Sequence, residues 1–284
     1  EDAFYSNAYI VELPYIFAIF FSKILDFFFD AIVIDYKFDK FRKSTSTELG
    51  LNEISKKFKI KKVLIDSNDS GKLIIKKEIS DKFDYVIKRE KYKSLIDKKY
   101  ISSMLPCTLV DYRLSKKDEK IKWKNIGKSK PNDHYTHEVF FGGLQTSKKR
   151  FEIIEYLKKN KVNILTNKMN LKIPYNLYLR NIYDSAINLA IPGHGEFTYR
   201  HLEILACCSF MVCEKSINEI ELPLPLRENE HFITYDCRDD LLEKIKFYLD
   251  RKDLRSKIAL NGRLVLEENY SPKNHGEKII KTIF

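Results

Sequence analysis

Two short stretches hold residues whose types and spacing suit an anion that also carries hydroxyl groups. In GHGEFTYRHLEILACC (193–208), two glycines and a histidine precede a helical pattern that turns almost wholly apolar. Gly193 and Gly195 admit backbone conformations and close approaches that a side chain would block. Thr198 suits a helix N-cap, and Tyr199, Arg200 and Glu203 then fall on neighbouring turns of the helix. Arg200 would meet the anion. Glu203, bordering the apolar run, needs donors for its carboxylate, and a ribose diol supplies two. An Arg200–Glu203 pair that only closes the helix start is the structural alternative.

The second stretch is FFGGLQTSKKR (140–150). Gly142 and Gly143 end an apolar run, and Ser147 is placed to cap the helix that follows. Lys148, Lys149 and Arg150 then occupy its first turn, where positive charge opposes the helix dipole unless an anion lies close by. A plain turn with a solvated lysine face is the alternative here. In LIDSNDSGK (64–72), Asp66 and Asp69 end a predicted strand, as a general base or as turn formers. Arg89 and Glu90 close another and are expected as a surface pair. Asp133, His134 and His137 lack the spacing of a rigid metal site, so no metal is expected.

These residues need elements to hold them. AIVIDY (31–36), KKVLIDS (61–67) and FDYVIKR (83–89) read as buried strands, with a capped amphipathic helix in STSTELGLNEISKKF. A polar segment, 115–137, is the best linker. Beyond it strands and helices alternate: HEVFFGG, SKKRFEIIEYLKKN, KVNILTN, YNLYLRNIYDSA, INLAIPG, TYRHLEILACC, FMVCEK, HFITYD and RDDLLEKIKFYLDR, then two closing helices. Such alternation gives a parallel sheet with helices on both faces. The expected fold class is α/β, with two Rossmann-like parallel-sheet domains joined near residue 130.

Composition bounds the rest. The 284 residues suit two modest domains, and 44% hydrophobic content suits a globular core. A formal charge of +11 favours an anionic partner without choosing one. Five cysteines without metal or CxxC spacing read as reduced thiols in a reducing compartment, so a cytoplasmic location is expected. Near the start, NAYIVELPYIFAIFFSKILDFFFDAIVIDY is interrupted by charges before a spanning length accumulates. It reads as a buried helix and a strand, or as a helix resting peripherally on a membrane. Lysines without clustered aromatics or nucleic-acid motifs leave nucleic-acid binding a minor alternative.

From VFFGG through NILTN and GHGEFTYRHLEILACC to RSKIALNGR, residues 138–275 resemble the carboxyl-terminal half of GT-B glycosyltransferases, most closely the group-1 type related to CgeB proteins. The resemblance implies an acceptor-side domain over 1–130, incomplete, and a nucleotide-sugar-binding domain over 131–284. It implies a UDP- or GDP-linked sugar donor, no tightly bound cofactor or metal, and a saccharide, lipid or protein acceptor. Glu203 would hold the ribose. Arg200 and a basic residue among Lys148, Lys149 and Arg150 would neutralise the diphosphate, with Gly142, Gly143, Thr198 and Tyr199 beside them. Gly193, His194 and Gly195 would form the loop at the donor sugar, and Asp69, His194 and Glu196 are the catalytic candidates. Two departures stand out. Many members place a second glutamate eight positions before the first, where this chain has Gly195, with Glu196 one residue later. Many carry a phosphate-binding arginine where this chain has Gly143. A non-catalytic nucleotide-binding module on the same fold is the alternative.

Overall fold

The computed structural model describes residues 15–36, 45–66, 76–102, 130–132, 134–143, 147–167, 171, 173–270 and 272–284. Asp69, Asp133, Cys107 and most of the predicted linker lie outside the described residues. The chain divides into two compact units, Glu1–Leu105 with Ser271–Phe284, and Pro106–Tyr270.

In the first unit, β1 (Ala31–Tyr36), β2 (Lys61–Asp66), β3 (Tyr85–Lys88) and β4 (Tyr100–Ser102) lie side by side in sequence order, all parallel. Successive strand residues face opposite sides, and here both sides are covered. Leu64 and Val86 pack with Leu51 of α3 (Thr45–Lys57) and Ile79 of α4 (Lys77–Ser80). Val63 and Ile87 pack instead with Ile283 of α10 (Pro272–Ile283), so the chain's last helix belongs to its first sheet. Lys61 Nζ donates to the Ile283 carbonyl at 2.7 Å, fastening that helix.

At the carboxyl end of this sheet, Asp66 and Lys88 are register partners on β2 and β3. Their side chains are fully buried, with Lys88 Nζ 2.5 Å from Asp66 Oδ2. Glu90, expected on the surface, is fully buried too. α1 (Tyr15–Phe20) and α2 (Ser22–Phe28) replace the single buried helix expected there. Their inner face, Ala18 with Ile19 and Leu25, packs on Ile54 and Phe58, while Phe20, Ile24, Phe27 and Phe28 are exposed. Among the described residues, no helix is long and apolar enough to cross a membrane.

The second unit holds β5 (His137–Phe141), β6 (Ile164–Thr166), β7 (Ser185–Ala190), β8 (Met211–Glu214) and β9 (Ile233–Tyr235), all parallel in the order β6-β5-β7-β8-β9. β7, the central strand, is buried along its whole length, as helices on both faces require. The crossovers are α5 (Lys148–Lys159), α6 (Tyr175–Tyr183) and α7 (Tyr199–Ala206), a short 3-10 helix joins β8 to β9, and α8 (Arg238–Leu249) and α9 (Lys252–Asn269) close the unit. In R-x-K-I-A-x-N-G, Gly262 exists for packing, since a Cβ there would lie 2.6 Å from Leu205 Cδ2 of α7. Arg255 donates to the Leu249 carbonyl at 2.6 Å and Arg263 to the Ala206 carbonyl. Each arginine closes the carboxyl end of a helix, where cations are favoured.

Candidate functional site

The strand order reverses at β5: β6 lies on one side of it and β7 on the other. In an open parallel sheet that reversal leaves a crevice beyond the carboxyl ends of the two central strands. Both glycine-containing loops picked from sequence emerge there, Gly142–Gly143 after β5 and 191–198 after β7. The helices that follow, α5 and α7, have no acidic residue in their first turns, whereas α8 has Asp239 and Asp240. Two positive helix ends therefore start at this crevice uncompensated by carboxylates of their own.

Arg150 is the basic residue of α5 that points inward. It is 7% exposed, and its Nε and Nη2 donate to the carbonyls of Pro192 (2.9 Å) and Ile191 (3.0 Å). That clamp ties the start of α5 to the loop after β7. Lys149 turns instead to Glu214 at the end of β8, and Lys148 is exposed beside Glu152. Ser147 accepts from the Arg150 N–H at 3.3 Å and caps α5 as expected.

Arg200, from the first turn of α7, reaches the same place. Its Cζ lies 4.8 Å from the centre of the Phe141 ring, and Arg150 Cζ lies 5.6 Å from it. A Cβ on Gly143 would sit 2.4 Å from Arg200 Nη2, so this guanidinium fills the space that a side chain at 143 would claim. Burial, reinforced by the charge of Arg200, lowers the Arg150 pKa to about 10, which leaves Arg150 charged at neutral pH. Two cations beside one ring set a positive potential at this point of the crevice.

Glu203 does not pair with Arg200. Its Oε2 accepts from the Tyr178 hydroxyl at 2.8 Å, and Tyr175 also bonds to the carboxylate. Burial raises the Glu203 pKa, against the hydrogen bonds from the two tyrosines and the charge of Arg200. Glu203 keeps part of its surface exposed. Tyr178 stands over Gly142, where a Cβ would lie 2.2 Å from its ring, and Asn167 Nδ2 donates to the Gly142 carbonyl at 3.1 Å. Sequence reading missed both tyrosines and Asn167. The Y-x-x-Y spacing in α6 was the available signal, because it puts both rings on one helix face.

The loop 193–197 is tight, with the Gly193 N–H donating to the Gly195 carbonyl at 3.2 Å. A side chain at Gly193 would press on Arg150. His194 is exposed, and Glu196 accepts from the Ser216 hydroxyl at 2.5 Å. Thr198 caps α7 as expected, its N–H donating to His201 Nδ1 at 3.0 Å. Burial drives the His201 pKa down to about 3, so this imidazole is neutral and structural. Tyr199 is exposed at the mouth of the helix. Cys207, Cys208 and Cys213 are buried free thiols and Cys237 an exposed one. Among the described residues, no three His, Cys, Asp or Glu side chains gather as a metal site.

Comparison with known proteins bears on this arrangement. Residues 146–281 match the family described as "Glycosyl transferase-like". No curated protein matches the chain in sequence. Solved structures do match in fold. TarM superposes with a TM-score of 0.53 at 10% identity, covering 89% of this chain and 54% of TarM. HepE from Anabaena, solved with UDP and glucose, gives 0.53 at 10% identity, over 92% of this chain and 80% of HepE. Sucrose-phosphate synthase from Thermosynechococcus elongatus gives 0.52 at 9%, over 96% and 80%. The chain thus spans about half the length of TarM. Residues 146–281 carry the pattern of the glycosyl transferase-like family, and the chain shares the two-sheet α/β fold of these solved structures.

Proposed function

We propose that the chain is a glycosyltransferase that moves a sugar from a UDP- or GDP-linked donor to an acceptor hydroxyl. One observation carries this reading: Arg150 and Arg200 converge at the reversal of the second sheet, with Glu203 one turn further along α7. A diphosphate would lie between the guanidiniums and the starts of α5 and α7, and Glu203 would take the pentose. As the sugar–oxygen bond breaks, charge gathers on the departing nucleoside diphosphate. Positive groups fixed beforehand around that charge lower the barrier and take the part a divalent ion plays elsewhere. HepE was solved with UDP and glucose, which supports a donor of this chemistry.

The first unit would serve the acceptor, and the second unit, Pro106–Tyr270, the donor, in a cytoplasmic protein that needs no bound metal. His194 and Glu196 would stand beside the transferred sugar, with Asp69 as the base candidate of the other domain. The exposed phenylalanines of α1 and α2 suit contact with a membrane surface, which would bring a lipid acceptor within reach. Calorimetry with UDP, GDP and their sugar conjugates tests the site. Glu203→Ala is expected to lose nucleotide binding while remaining folded, and an unchanged affinity removes the assignment. Slow release of free UDP or GDP from the conjugate marks an active transferase. Binding without any release in the presence of acceptors identifies a non-catalytic module.

A further inference from the structure

Glu203 is held by more than its helix. The Tyr178 hydroxyl donates to Oε2 at 2.8 Å, and Tyr175 supplies a second bond to the same carboxylate. The two rings stack, with centres 6.0 Å apart and planes at 23°. Tyr178 also lies against Phe140, centre to centre 5.9 Å, and over Gly142, which has no Cβ to displace it. Its position is therefore set by packing on the end of β5, independently of the carboxylate it serves.

An ionised carboxylate has about four lone-pair sites. Two tyrosine hydroxyls occupy two of them, and two remain, as many as the hydroxyls of a ribose cis-diol. Burial raises the Tyr178 pKa well above its ordinary value, so this hydroxyl stays a donor throughout the working range. A carboxylate whose orientation is fixed in advance loses little freedom on meeting the diol. A pentose lacking one hydroxyl would leave an acceptor site of a largely buried carboxylate unfilled, and such gaps are costly.

We propose that Tyr178 is a positioning residue that orients Glu203 to select ribonucleoside over 2′-deoxyribonucleoside diphosphates. The proposal rests on the donor-site reading above and assigns it a donor class. The test compares the wild type, Tyr178→Phe and Glu203→Gln by calorimetry. The ligands are whichever of UDP, GDP and ADP binds the wild type best, and its 2′-deoxy counterpart. Tyr178→Phe keeps the ring and its packing and removes only the hydroxyl. It is expected to weaken the ribonucleotide roughly tenfold, as loss of a bond to a charged group implies, and the deoxynucleotide by less than about twofold. Discrimination between the two should collapse. Tyr175→Phe removes the other donor, is expected to narrow the same ratio, and stands in if Tyr178→Phe folds poorly. Equal weakening of both ligands, as a merely structural role would give, overturns the proposal. So does an unchanged ribonucleotide affinity in Tyr178→Phe when Glu203→Gln has lost it. If none of the three nucleotides binds the wild type, or Glu203→Gln binds as well as the wild type, the donor-site reading itself falls.

Discussion

Gly143→Ala is a small change aimed at the centre of the proposed anion site. Its Cβ would lie 2.4 Å from Arg200 Nη2 and 2.5 Å from Phe141 Cζ, where ordinary contact begins at 3.4 Å. The guanidinium must then retreat by about 1.0 Å and the ring by about 0.9 Å, the differences between those distances. Arg200 yields easily because its head is the end of a flexible chain. Phe141 does not, being fully buried on a core strand. Overpacking of this kind costs about 1–3 kcal/mol, and each kcal/mol lowers Tm by roughly 2–4 °C in a domain of this size. The functional loss comes from the guanidinium. A charge-assisted hydrogen bond is worth about 1.5–3 kcal/mol, so a displaced Arg200 should weaken UDP or GDP roughly tenfold or more. Uridine or guanosine, lacking phosphates, should be nearly unaffected. Calorimetry on the variant, on Arg200→Ala and on the double variant separates the causes. If Arg200 transmits the effect, Gly143→Ala should cost almost no further affinity in the Arg200→Ala background. Full nucleotide affinity in a folded Gly143→Ala protein would refute the role given to Arg200.

Two further expectations concern buried titratable groups. His201 has a folded pKa near 3 against 6.5 unfolded, so the unfolded chain binds more protons below 6.5 and stability falls as pH drops through that value. Between pH 6.5 and 5 the loss is about 1.6 kcal/mol, the slope approaching roughly 1.36 kcal/mol per unit only well below pH 6.5; His201→Gln should flatten this slope in urea titrations, and an unchanged slope would place the effect elsewhere. Lys88→Met removes the buried cation 2.5 Å from Asp66 in the first sheet and should cost about 3–5 kcal/mol. Adding Asp66→Leu should recover much of that, and a single variant as stable as the wild type would mean that the pair contributes little.

Much of the second sheet was legible because its chemistry is local. Fully apolar runs such as INLAI, set between capped amphipathic helices, leave few ways to satisfy the backbone except a parallel sheet. Which strand lies beside which is not a local property. The reversal at β5 that unites the loops after Gly142 and Ile191 appears only in the fold. The Asp66–Lys88 pair was hidden for a similar reason, since it follows from the register of two strands 22 residues apart. Alternation of apolar residues marks a strand, and says nothing of the partner its end will meet. The outer face of α1 and α2 left two readings for the opposite reason: helices this rich in phenylalanine suggest burial or rest on a membrane surface, and in the fold only one side is covered. Tyr178 was overlooked because an aromatic residue at helical spacing reads as core, and its hydroxyl gains meaning only opposite Glu203.

The absence of an arginine at position 143 and the presence of Arg200 are two sides of one solution. A side chain at 143 and the guanidinium of Arg200 cannot share the space above Phe141, so the chain places its charge from α7. Arg150 comes in from α5, and the loop carbonyls at 191 and 192 accept from it. The Arg150 charge is thereby fixed to backbone that is itself fixed, which would keep its reorganisation small when a ligand arrives. The two guanidiniums also repel one another: after burial, the neighbouring Arg200 charge is the next cause of the lowered Arg150 pKa. A ligand relieves that repulsion in proportion to the negative charge it brings between them. A nucleoside diphosphate gains charge as its sugar departs, so the relief is greater for the breaking bond than for the intact donor. On the proposed reading, repulsion held in place before binding would become a preference for the transition state, the condition for accelerating transfer and not merely retaining the nucleotide.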